Sequence, residues 1–138
     1  MHTLSRRLAG ALSVLALGTA AWIAATPVAA AQSGGEESFL GYRKMVFAAS
    51  SCRYPALDVR YNEDATDAEK AAADAAQARI AALIEEKTGA DLSAADKLFL
   101  IEKARDEVRG WISSKGCKAP EVTALVERFE QEFPGVAP

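Results

Sequence analysis

The residues best suited to recognition chemistry lie close together in one stretch. Arg53-Tyr54 and Arg60-Tyr61 repeat an arginine–tyrosine pair, and Arg43 stands a few turns upstream. A guanidinium offers a planar fork that matches a carboxylate or a phosphate, and tyrosine adds a flat surface with a polar tip. A loop built this way recognises an anionic ligand or a protein partner. The plainer reading is that the tyrosines cover the open end of a helical domain while the arginines pair with surface acids. On the first reading Arg43, Arg53, Tyr54, Arg60 and Tyr61 are the binding residues.

Other chemistries fall away on residue types. The single histidine is His2. Without a histidine deeper in the chain no Ser-His-Asp or Cys-His arrangement forms. Histidine-based zinc sites are excluded, and two cysteines are too few to close a structural zinc site. No haem-attachment motif is present. Asp58, Asn62 and Asp64 are oxygen ligands, but their spacing departs from the calcium loop and its glycine and terminal glutamate are missing. Glu102, Asp106 and Arg109, and again Glu127, Glu130 and Gln131, stand at helical neighbour spacing. Paired carboxylates do acid–base work only in a cleft that separates their pKa values, and a small helical domain leaves little room for one. These faces read as solvated, with modest intrahelical pairs. No catalytic residue, metal or cofactor is expected. The net charge of −3, with dispersed Lys and Arg, argues against a nucleic-acid partner.

The N-terminus carries a different kind of signal. His2, Arg6 and Arg7 form a basic start, and no residue from Leu8 to Gly35 is charged. Thr26 and Pro27 break the apolar run, and Ala29-Ala30-Ala31 offers small residues for cleavage. This is the pattern of a secretory signal peptide over residues 1–31, cleaved after Ala31, with Val28-Ala29-Ala30 the nearest alternative. An uncleaved anchor is the competing reading, since the uncharged run is long enough to span a bilayer. Ser5-Arg6-Arg7 echoes a twin-arginine export signal but lacks the usual continuation. The alanine-rich leader points to bacterial export and to the periplasm. Removing Arg6 and Arg7 takes the net charge from −3 to −5.

An exported chain meets an oxidising compartment, where Cys52 and Cys117 are expected to form one disulfide. They are too far apart in sequence for a thioredoxin-like redox pair.

The elements that must position these residues are helices. Phe39, Tyr42, Val46 and Ala49 recur at helical spacing and predict a first helix over about 38–51, after a polar lead-in at 32–36. Residues 52–65 form a long loop, with Pro55 forcing Tyr54 into an extended conformation. Thr66-Asp67-Ala68-Glu69 fits a capping box and opens a helix over 67–87, ending at Gly89. Ser93-Ala94-Ala95-Asp96 opens another over 94–115, ended by Gly116. Leu98-Phe99-Leu100-Ile101 is apolar on every side, which predicts a central place in the core, an exposed apolar patch at Phe99 and Leu100 being the competing reading. Pro120 starts a last helix over 120–133, with Val122, Leu125, Val126, Phe129 and Phe133 as its stripe.

Residues 32–138 thus read as a single all-α domain, a small antiparallel four-helix bundle. In that topology the ends of the first and third helices share a pole, where Cys52 and Cys117 would meet. Small size, one staple and the absence of a catalytic constellation predict a non-enzymatic exported protein. It would bind a periplasmic or envelope protein as an accessory subunit, an inhibitor or immunity-type factor, or a small chaperone. The outline is similar to that of small periplasmic acid-stress chaperones of the HdeA type, also helical with one disulfide, although the cysteine spacing here is longer. The alternative is a small anionic or envelope ligand held by the Arg53–Tyr61 loop.

Overall fold

A computed structural model describes residues 26–88 and 91–138, with side chains from Gly34 onward. Four helices account for most of it: α1 (Thr26–Cys52), α2 (Asp67–Thr88), α3 (Ala94–Lys115) and α4 (Pro120–Glu132). A short 3-10 helix, Pro55–Asp58, lies between α1 and α2, and no strand occurs among the described residues. Cys52 and Cys117 are joined, with their Cα atoms 5.6 Å apart. Among the described residues no helix is long and apolar enough to cross a membrane. Of the leader assigned to 1–31, residues 1–25 lie outside the described residues.

The helix starts are chemically local. Glu69 accepts the Thr66 N–H at 2.7 Å while Thr66 Oγ1 accepts the Glu69 N–H at 3.2 Å, a complete capping box. At α3, Ser93 Oγ accepts the Asp96 N–H at 3.1 Å. Asp96 is one methylene shorter than glutamate, and its carboxylate accepts from the serine hydroxyl at 2.6 Å. Gly116 ends α3 with φ +82°, a left-handed conformation that glycine adopts without a Cβ clash.

The first helix differs from expectation. The sequence suggests a start near residue 38 after a polar lead-in, whereas α1 begins at Thr26 and runs unbroken through 32–36. Pro27 is the second described residue of this helix, which continues past it to Cys52; the apolar run that Thr26 and Pro27 are expected to break lies outside the described residues. Gly34 and Gly35 are carried through as well. Each is unfavourable by roughly 1 kcal/mol relative to alanine, which a helix of this length absorbs.

Helix α1 is the centre of the fold, packing on α3, on α4 and, less extensively, on α2. Phe39, Met45, Val46 and Ala49 on α1 are buried with Ile80 and Ile84 of α2, Leu100 of α3, and Phe129 and Phe133 of α4. Leu57 of the 3-10 helix plugs into the same cluster, only 2% exposed. The long loop is therefore packed across the helices, and Gln77 of α2 donates to the Leu57 carbonyl at 3.0 Å. A second cluster near the disulfide joins Ala48, Val108, Ala119, Val122 and Val126. Each large side chain buried here is worth about 1.5–3 kcal/mol in transfer terms.

A second expectation fails at the start of α3. Leu98 and Phe99, predicted to be central in the core, are 61% and 67% exposed, while Leu100 is buried. The buried line of α3 runs through Leu100, Ala104 and Val108 toward α1. Positions 98 and 99 turn about 200° and 100° away from Leu100 and stay exposed among the described residues. An apolar turn is buried all round only when neighbours surround it.

Candidate functional site

The structure divides the predicted binding residues among three places. Arg53 and Tyr54 leave the end of α1, where both backbone N–H groups donate to the Ala49 carbonyl. Their side chains converge on one acid from α4. Arg53 Nη1 donates to Glu130 Oε1 at 2.8 Å, and the Tyr54 hydroxyl donates to the same oxygen at 2.7 Å. The Tyr54 ring packs on Phe129, centroids 5.8 Å apart. The Tyr54 hydrogen bond, then the Arg53 guanidinium, holds the Glu130 carboxyl below the usual carboxylate range. Glu130 in turn pushes the Tyr54 phenol up. This half of the loop is engaged in joining α1 to α4.

Arg43 stands apart from the loop, on the middle of α1. Its guanidinium lies 5.3 Å from the Phe39 ring centroid, and its Nε is buried without a hydrogen-bond partner among the described residues. Burial pulls this guanidinium down from its usual pKa, and Glu85 on α2 pushes it partway back. Glu85 itself is ion-paired to Lys97 at the start of α3. The cluster reads as a polar seam linking three helices.

Arg60 and Tyr61 lie on the other side of the loop. Arg60 sits 3.9 Å from Asp74 of α2 and stacks over the Tyr61 ring at 5.9 Å. Tyr61 is 86% exposed, with the Arg60 guanidinium its nearest stacking neighbour. It stands at the rim of a cleft of about 470 Å³ between the end of α1, the loop and α3. Phe47, Val108 and Ile112 supply the apolar lining, and Ser50, Ser51 and Ser113 add hydroxyls. Asp58 faces the cleft from the loop, and Arg105 and Arg109 from α3. Arg105 Nη1 donates to both Glu102 oxygens, at 2.8 and 2.9 Å, and its guanidinium lies 5.4 Å from the Phe47 ring centroid. Arg109 has no carboxylate within ion-pair distance among the described residues.

Sequence reasoning missed Arg105 and Arg109 as recognition residues. The available signal was their i, i+4 spacing astride buried Val108, which puts two like charges on one flank of the core face. Which loop would close against that flank is a tertiary fact. Asn62 takes part in a turn, its Oδ1 accepting the Asp64 N–H at 3.0 Å. Among the described residues no three acidic, cysteine or histidine side chains gather as a metal site. Comparison with protein-family models, with curated proteins and with solved structures found no match.

Proposed function

We propose that this chain is an exported, non-enzymatic helical protein whose role is to bind another protein of the periplasm or envelope. It would act as an accessory subunit, an inhibitor or immunity-type factor, or a small chaperone. On this reading residues 1–31 are a leader cleaved after Ala31, and the remaining helices form a small antiparallel bundle around α1. Several contacts support that arrangement. The disulfide joins the ends of α1 and α3, while Phe133 at the far end of α4 packs on Tyr42 back along α1. The disulfide is also what an oxidising compartment would supply.

The observation that carries the reading is the Leu98–Phe99 pair. Two large apolar side chains, each more than half exposed, stand side by side on the first turns of α3. Exposed contiguous apolar surface marks interaction sites in folded proteins. Asp96, Glu102 and Lys103 all lie one turn from Phe99 along α3, so the patch has a border of mixed charge. A partner with an apolar pocket and a polar rim of mixed charge fits it.

The test is crosslinked capture of the tagged chain from native periplasm, wild type against Leu98→Ser/Phe99→Ser. The expected result is one dominant companion that the double variant loses and that added salt weakens. Many unfolded companions, retained only in acid, would select the chaperone form of the proposal. Companions identical for wild type and variant would reject the patch, and an unprocessed mass would reject the soluble exported state.

A further inference from the structure

The cleft between α1, the loop and α3 is not needed for protein binding at Leu98 and Phe99, yet it is built as a recognition site. Four features of its walls combine. Arg105 is fixed in place: Nη1 is taken by Glu102 and the guanidinium plane rests near Phe47, while its Nε and Nη2 hydrogens remain outside that ion pair. Arg109, one turn later on the same face, has no carboxylate partner among the described residues. Like charges at i, i+4 repel, and an anion seated between them relieves that repulsion. Beside them lie apolar Phe47, Val108 and Ile112, Val108 being fully buried. The Ser51, Ser113 and Tyr61 hydroxyls complete the rim.

We propose that this cleft binds a small organic acid, a carboxylate or phosphate monoester borne on a flat apolar body. The acid would lie between Arg105 and Arg109 and accept from the hydroxyls, and the apolar body would cover Phe47 and Ile112. A volume of about 470 Å³ suits a ligand of that size. Asp58 on the loop side sets the selectivity: it disfavours acids with a second negative charge at their far end. The site goes beyond the protein-binding reading and does not depend on it.

The test is an amide-NMR titration of the disulfide-intact chain with phenyl phosphate, benzoate, inorganic phosphate and benzyl alcohol. The expected result is saturable shifts at Ser51, Tyr61 and Ser113 with phenyl phosphate or benzoate, the tighter of the two identifying the head group. Inorganic phosphate and benzyl alcohol, each holding half of the chemistry, are expected to bind about tenfold more weakly or worse. Arg109→Gln should lower affinity about tenfold with the melting temperature unchanged, because Arg109 supports no contact in the core. Asp58→Asn should raise affinity for both acids. Leu98→Ser/Phe99→Ser should leave binding intact, which separates this site from the protein-binding patch. Absence of saturation up to about 10 mM would overturn the proposal. So would inorganic phosphate binding as tightly as phenyl phosphate, or Arg109→Gln binding like wild type.

Discussion

A single carboxylate oxygen, Glu130 Oε1, receives both the Arg53 guanidinium and the Tyr54 hydroxyl. That arrangement gives two residues with the chemistry of a binding loop a structural contact between α1 and α4. Tyr54 lays its ring on Phe129, and Phe129 continues the stack to Phe133 at 5.3 Å, so the polar contact closes over an aromatic column. The ionised carboxylate beside the phenol disfavours phenolate and raises the Tyr54 pKa, the hydrogen bond to Glu130 being the largest cause. Replacing Glu130 by Gln removes the charge and keeps an acceptor. Tyr54 in Glu130→Gln should therefore titrate at lower pH, back toward the ordinary tyrosine value of about 10. Carbon-13 NMR of the tyrosine Cζ resonances against pH separates Tyr54 from Tyr42 and Tyr61. An unshifted Tyr54 would show that the contact does not persist in solution.

At the scale of elements, helices are tied to one another largely through carboxylates. Glu85 on α2 pairs with Lys97 on α3, Glu107 on α3 with Lys44 on α1, and Glu132 on α4 with Lys87 on α2. Hydrogen bonding and the charge of Lys97 hold the Glu85 carboxyl below its usual range, and Glu121 is lowered likewise by Lys115. Folded pKa values below the unfolded value of about 4.3 mean stabilisation that is present above that value and is lost as pH falls through the folded ones. Each exposed pair is weak, so the effect is expected as a sum. The urea midpoint should fall between pH 6 and pH 3, with most of the loss below pH 5. Hydrogen exchange should rise first in α2, whose buried face is half alanine (Ala73, Ala76, Ile80 and Ile84) and which α1 contacts least. Loss confined to α4 would refute this ordering. The starts of α2 and α3 were legible in the sequence because a capping box is written within four consecutive residues. The Cys52–Cys117 pairing was legible because only two cysteines exist. Less local features were not. Whether Leu98 and Phe99 are buried depends on a neighbour for that face of α3. Whether Arg53 binds a ligand or Glu130 depends on residues far along the chain.

For the molecule as a whole, the disulfide and the first helix set the limits of the folded unit. The bridge spans 65 residues and ties α1 to the end of α3. A loop of that length corresponds to about 4 kcal/mol in the chain-entropy account, a large part of the about 5–15 kcal/mol typical of a domain. Cys52→Ser/Cys117→Ser should lower the unfolding free energy by about that amount, read from urea denaturation, with a steeper slope because the unlinked unfolded chain exposes more surface. The proposed cleavage after Ala31 makes a further demand, because α1 runs continuously across that point. Cutting there removes the first six residues of α1, and the helix keeps its whole buried face only if that face lies further on. It does among the residues whose side chains are described: buried side chains begin at Phe39 and continue through Met45, Val46, Ala48 and Ala49. A chain beginning at Gln32 should then match a chain beginning at Thr26 in unfolding free energy within about 0.5 kcal/mol, the range of surface changes. It should also form the same disulfide. A clearly less stable Gln32 chain would mean that residues 26–31 belong to the folded domain, and the processing site would have to lie upstream of Thr26.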